Sequence, residues 1–81
     1  MAGHISYEEA LESIRPGKYR HFKGNEYEVV GIARHSETEE AMVVYRKLYG
    51  DRSLWVRPAS MWNEVIERDG KTFRRFERTG D

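Results

Sequence analysis

The residues best equipped for chemistry lie between Tyr45 and Pro58, where Leu54-Trp55-Val56-Arg57-Pro58 returns toward the run ending at Leu48 across Gly50-Asp51-Arg52. A three-residue hairpin loop over Gly50 to Arg52 pairs Leu48 with Leu54, Lys47 with Trp55 and Tyr45 with Arg57. Because a guanidinium is rarely buried unpaired, this alternation places Leu54 and Val56 in the core and turns Trp55 and Arg57 toward water. Aromatic rings beside Lys47 and Arg57 then form a face that could stack a planar ligand, hold an anion or grip a peptide. The same four side chains also make ordinary cross-strand pairs that stabilise a sheet without binding anything.

His21 and His35 are the other reactive candidates, as metal ligands or proton carriers. His35 opens the polar stretch His35-Ser36-Glu37-Thr38, whose hydroxyls suit a turn as readily as a site. Neither histidine belongs to a paired ligand motif and the chain has no cysteine, so no metal and no other cofactor is expected. Ser36, Ser53 and Ser60 occupy no nucleophile elbow, and the glycines are dispersed rather than gathered into a phosphate-binding loop. A small enzyme would use His21 or His35 for acid–base work with Arg57 holding an anionic substrate, an arrangement that only the fold could assemble.

With 81 residues the chain makes one domain, of a size that buries roughly 60 to 65 per cent of its unfolded surface. Two Trp, five Tyr and three Phe supply much of the apolar area, since each large ring buries roughly 150 to 250 Å². The absence of cysteine leaves packing as the source of stability and suits a reducing interior. Met1-Ala2-Gly3-His4 leads into polar residues with no apolar leader core, and no apolar run is long enough to cross a bilayer, so a cytoplasmic protein is expected. Fourteen basic and fourteen acidic side chains cancel, which disfavours nucleic acid and anionic membrane as partners. Glu8, Glu9 and Glu12, then Glu37, Glu39 and Glu40, form acidic clusters, while Arg68 to Arg78 is basic; solvated surface accounts for each.

The elements that position these residues are short. Ser6 with Glu9 forms a capping box, and Tyr7, Ala10, Leu11 and Ile14 keep helical spacing up to the break at Pro16-Gly17. Strands are predicted over Lys18 to Phe22, Glu26 to Arg34 and Ala41 to Tyr49, with Met42, Val44 and Leu48 inward. Glu26 to Arg34 has apolar residues on both faces, consistent with a bulge at Gly31 or with cover on both sides. Pro58-Ala59-Ser60-Met61 marks a turn or single helical turn. Asp69-Gly70 is a type I′ hairpin signal that pairs Ile66 with Phe73 and Glu64 with Arg75.

One helix and five or six short antiparallel strands predict a mainly β fold, a small SH3-like, partly open barrel, with an OB-like barrel as the alternative. Residues 1–16 are assigned to the helix packed on the domain, 17–77 to the β domain and 78–81 to a frayed tail.

As a set, Gly17-Lys18-Tyr19-Arg20-His21-Phe22-Lys23-Gly24, Tyr27-Glu28-Val29, Ala33-Arg34-His35-Ser36-Glu37-Thr38, Tyr49-Gly50-Asp51 and Trp55-Val56-Arg57-Pro58 resemble the bacterial domain of unknown function 1653. The resemblance runs from Gly17 to Phe76, leaves the helix outside, and implies phenylalanine where this chain has Trp62. It implies a compact bacterial domain and no particular substrate, catalytic residue or cofactor.

The expectation is therefore a binding or accessory module without intrinsic catalysis. Tyr45, Lys47, Trp55 and Arg57 form its ligand-binding patch, extended by Tyr19, His21 and His35. A peptide, protein or small anionic ligand fits that chemistry. RNA or single-stranded DNA, stacked on the rings with Arg20, Arg34 or Arg57 on phosphates, is less favoured by the zero net charge.

Overall fold

The computed structural model describes residues 5–81; Met1 to His4, the stretch read for a leader, lies outside them. Chain order is α1 (Tyr7–Ser13), β1 (Gly17–His21), β2 (Glu26–Arg34), β3 (Ala41–Lys47), β4 (Leu54–Pro58), α2 (Ala59–Trp62), β5 (Val65–Arg68), β6 (Lys71–Arg74) and β7 (Phe76–Gly80). The fold is mainly β. Five antiparallel strands form one sheet in the order β4-β3-β2-β1-β7, and β5-β6 is a separate hairpin, so the strands make two sheets rather than a closed barrel.

Helix α1 starts where the capping box requires. Ser6 Oγ accepts from the Glu9 N–H at 3.1 Å, and Glu9 Oε1 accepts from the Ser6 N–H at 3.2 Å. Ala10 and Ile14 are buried beneath it, whereas Leu11, expected on the same stripe, is exposed. In β2 the bulge interpretation holds: Val29 opposes Tyr45, the next paired residue is Gly31 opposite Val44, and Val30 is displaced into solvent. The extra residue resets the alternation, which brings Ile32 opposite the fully buried Val43 and against the core.

Between β3 and β4 the structure corrects both register and facing. Tyr45 opposes Trp55 and Val43 opposes Arg57, two residues away from the expected pairing. Leu48 leaves the hairpin and donates its N–H to the Glu26 carbonyl of β2, so the loop is longer than three residues. Ala41, Val43 and Tyr45 are the buried residues of β3, rather than Met42 and Val44. Leu54 and Val56 accordingly lie on the outer face, 53% and 59% exposed, and Arg57 is half-buried on the inner one. A two-residue slip preserves facing, so register alone does not explain the reversal. The inner face is built of rings, and a guanidinium can lie on a ring: Arg57 sits 5.5 Å from the centre of Phe76.

Those rings centre on Trp62, which short helix α2 carries into the interior, 1% exposed. Its indole stacks flat on Phe76, with centroids 3.8 Å apart and planes 1° from parallel. Tyr45 and Tyr19 close around it at 5.0 and 5.4 Å. Phe76 begins β7, which corrects the expected fraying of residues 78–81: Lys18 to His21 of β1 pair with Phe76 to Gly80. Arg78 further ties the end by donating to the Pro16 carbonyl and to Asp81, each at 2.9 Å. The β5-β6 hairpin has the expected register, with Asp69 and Gly70 both at positive φ, as a type I′ turn demands.

Trp62→Ala is expected to cost about 3 to 5 kcal/mol, a large share of the roughly 4 to 12 kcal/mol available to a domain of this length. Urea unfolding followed by circular dichroism measures the loss as a lowered midpoint.

Candidate functional site

The inner face of the sheet is organised in rows set by strand register. Tyr27 stands opposite Lys47, Val29 opposite Tyr45 and then Trp55, and Ile32 opposite Val43 and then Arg57. Trp55 lies at the edge of this face, half in water, and is fixed there by its neighbours. Its indole N–H donates to Ser53 Oγ at 2.7 Å, and the Ser53 hydroxyl and N–H bond Asp51 Oδ1 at 2.8 and 3.1 Å. Those bonds favour the ionised Asp51 carboxylate and hold its pKa below the usual value. Lys47 Nζ is 5.1 Å from the Trp55 ring centre and 5.3 Å from that of Tyr49. Tyr49 and Tyr27 share a hydroxyl hydrogen bond of 2.7 Å. Burial, with that bond second, pushes the Tyr27 phenol up to about 12, so it remains neutral.

Arg57 is the unsatisfied member. Its guanidinium lies against Phe76, its Nε is buried without an acceptor, and among the described residues no carboxylate pairs with it. Trp62 Nε1 is a second buried donor without an acceptor. His21, at the end of β1, meets Phe76 edge-on at 5.0 Å and accepts the Lys23 N–H at Nδ1. Burial first, then the cations of Arg75, Arg57 and Lys23, lowers its pKa.

The structure therefore brings Tyr45, Lys47, Trp55, Arg57 and His21 to one face, but not as the outward patch the alternation implied. Tyr45 is a buried wall of that face. Tyr19 is core, donating its hydroxyl to the Arg15 carbonyl at 2.8 Å, and burial raises its pKa. His35 stands apart in the β2–β3 turn, where Nδ1 accepts the N–H groups of Glu37 and Thr38 at 3.1 and 3.3 Å. The nine residues of β2 separate the two histidines, about 26 Å at the usual rise per strand residue. Tyr27, Tyr49, Trp62 and Phe76 belong to the site and lie outside the patch expected from sequence. The register of β2 on β3 is the missing signal for Tyr27, and for Phe76 it is the pairing of β7 on β1, which no local pattern announces.

A hollow of about 290 Å³ opens beside Phe22, Phe73, Arg74 and Glu77. Lys23, Arg68 and Arg75 stand 5.6 to 5.9 Å from the Phe22 ring centre, and Arg75 is paired with Glu64 at 3.0 Å. Arg20 and Arg34, the other proposed phosphate contacts, face Glu26 and Glu8, each at 3.6 Å.

These features define a small antiparallel β domain with a ring-lined, cationic inner face. The chain belongs to the family described as protein of unknown function DUF1653, whose model matches residues 17–78. It is similar to a member of that family from Bordetella bronchiseptica, known from a crystal structure: the two are 38% identical with a TM-score of 0.79, over 86% of this chain and 92% of that one. No curated protein matches this chain. No helix among the described residues is long and apolar enough to cross a membrane.

The environment of His21 has a measurable consequence. Its folded pKa lies below the ordinary 6.5, so as pH falls below that value the unfolded chain takes up this proton first. Stability contributed by neutral His21 is full above pH 6.5 and is lost as pH falls through the lower folded pKa. Urea midpoints against pH should decline less steeply over that window in His21→Gln than in the parent, and the His21 ring proton should titrate below 6.5 by NMR.

Proposed function

We propose that this domain is a noncatalytic binding or accessory module that takes an anionic group of a planar or peptide ligand on the inner face of its sheet. The observation that carries this reading is Arg57. A half-buried guanidinium laid on a ring has lost hydration and has no carboxylate partner among the described residues, and its buried Nε is a further unpaired donor. A carboxylate or phosphate arriving at the outer guanidinium nitrogens supplies the missing counterion, the buried Nε lying out of its reach. Trp55, two residues away on the same strand face, offers a half-exposed ring for the body of the ligand, and Lys47 adds a second cation above that ring. We read the architecture as an open SH3-like arrangement, supported by the antiparallel meander and the short helical turn α2 that precedes the final strands. A bacterial cytoplasmic setting accords with the cysteine-free composition.

Nucleic acid fits less well. Two of the three arginines suggested for phosphates face carboxylates, and net charge is zero. Acid–base catalysis by His21 or His35 with Arg57 is the less favoured reading: the histidines stand at opposite ends of β2, His35 spends its Nδ1 on its own turn, and His21, on the face of Arg57, uses its Nδ1 to accept the Lys23 N–H.

Phenyl phosphate, benzoate and uncharged phenol, titrated separately and followed by NMR, test the reading. The two anions are expected to shift the Trp55 indole and the resonances around Arg57, with phenol much weaker. Arg57→Gln should weaken anion binding about tenfold or more, in line with the roughly 1.5 to 3 kcal/mol of a hydrogen bond to a charged group. Equal responses to phenol and phenyl phosphate, or unchanged anion binding by folded Arg57→Gln, would refute it.

A further inference from the structure

We infer that β4 is a self-association edge, and that two copies of this chain pair through Leu54 to Val56 to continue the sheet across a two-fold axis. The hydrogen-bond phase of β4 can be read from its neighbours. Lys47 donates to the Ser53 carbonyl, in the same register that sets Tyr45 opposite Trp55 and Val43 opposite Arg57. In an antiparallel ladder alternate residues point their backbone groups to opposite sides, so Ser53, Trp55 and Arg57 bond β3 while Leu54 and Val56 point away from it. On that side β4 has no neighbouring strand, since it ends the sheet.

The edge is apolar as well as open. Leu54, Trp55 and Val56 are 53%, 49% and 59% exposed, three consecutive large hydrophobic residues in water. The outer-face row continues inward from Val56 to Val44, with exposed Val30 at the adjoining bulge. Natural edges are usually blunted by charge, proline or a bulge. The opposite edge, β7, is blunted in this way by Glu77 and Arg78, and β4 carries proline only at its end.

A second copy fits because the segment is self-complementary. Antiparallel pairing centred on Trp55 sets Leu54 against Val56 of the second copy, and the reverse, as narrow pairs that exchange about four N–H···O bonds. The two Trp55 residues then oppose each other at the axis on the inner face, and Leu54 and Val56 cover one another on the outer face. Arg57 falls opposite Ser53 of the second copy, so no like charges meet. The inner faces of the two copies join side by side, which would give a ligand with two anionic groups a two-fold arrangement of Arg57. The pairing itself does not rest on the ligand reading.

Sedimentation from about 10 µM to about 1 mM tests it through mass action, together with amide exchange by NMR. The expected result is a monomer–dimer equilibrium in which the Leu54 and Val56 amides gain protection with concentration, while those of Trp55 and Arg57 are protected throughout. Val56→Pro removes an outward N–H that β3 does not use, and Val56→Lys places a charge on the edge. Each should stay folded by circular dichroism and weaken the dimer at least about tenfold. A monomer at the highest concentration with rapidly exchanging Leu54 and Val56 amides overturns the inference, as does a dimer that both folded variants leave intact.

Discussion

The stack of Trp62 on Phe76 is the contact from which the rest of this molecule follows. Two large rings lying parallel at 3.8 Å unite the short helix after β4 with the strand that ends the chain. Tyr19 of β1 and Tyr45 of β3 pack against the indole, and Tyr27 of β2 packs against Phe76. Every strand of the large sheet except β4 thus contributes a ring to one cluster, and β4 contributes Arg57 to its margin. An aromatic pair adds roughly 0.5 to 1.5 kcal/mol beyond the area it buries. In a small cysteine-free domain, several such contacts sharing two rings reinforce a core whose aliphatic members, Ile14, Val29 and Val43 the largest, are few.

This centre explains which features were legible in the sequence. Ser6 with Glu9 and Asp69 with Gly70 announce themselves because capping and type I′ turns depend on a few adjacent backbone and side-chain groups. The family resemblance was legible too, since it rests on residue identity along the chain. Facing in β3 and β4 was not. Both strands carry apolar residues on each side, so alternation admits either choice. The decision lies with Phe76 and Trp62, distant in sequence, which offer Tyr45 and Arg57 an aromatic floor that outweighs the greasier Leu54 and Val56.

The tail shows the same dependence. Arg78-Thr79-Gly80-Asp81 has the composition of a loose end, and local propensity gives it no reason to order. Phe76 anchors the segment in the ring cluster, after which the remaining residues find their hydrogen bonds on β1. Gly17 permits that approach. Its φ is +136°, and a Cβ there would stand 2.5 Å from the Gly80 carbonyl oxygen. One end of the domain is closed by a glycine that appears in sequence only as a helix stop.

Turning the polar edge of this cluster into a site carries an energetic tension. Placing Arg57 among rings forgoes hydration without gaining a counterion, and Lys23 and Arg75 add further positive charge around His21. A chain selected for stability alone would pair Arg57 and Lys23 internally, as it pairs Arg75 with Glu64 at the neighbouring strand end. Acidic residues are abundant enough for that, with fourteen in the chain. The carboxylate beside the indole, Asp51, is bonded to Ser53 and not to Arg57, so an anion arriving at the guanidinium supplies the counterion it lacks. That vacancy separates Arg57 from Arg20 and Arg34, whose carboxylate neighbours an incoming anion would first have to displace.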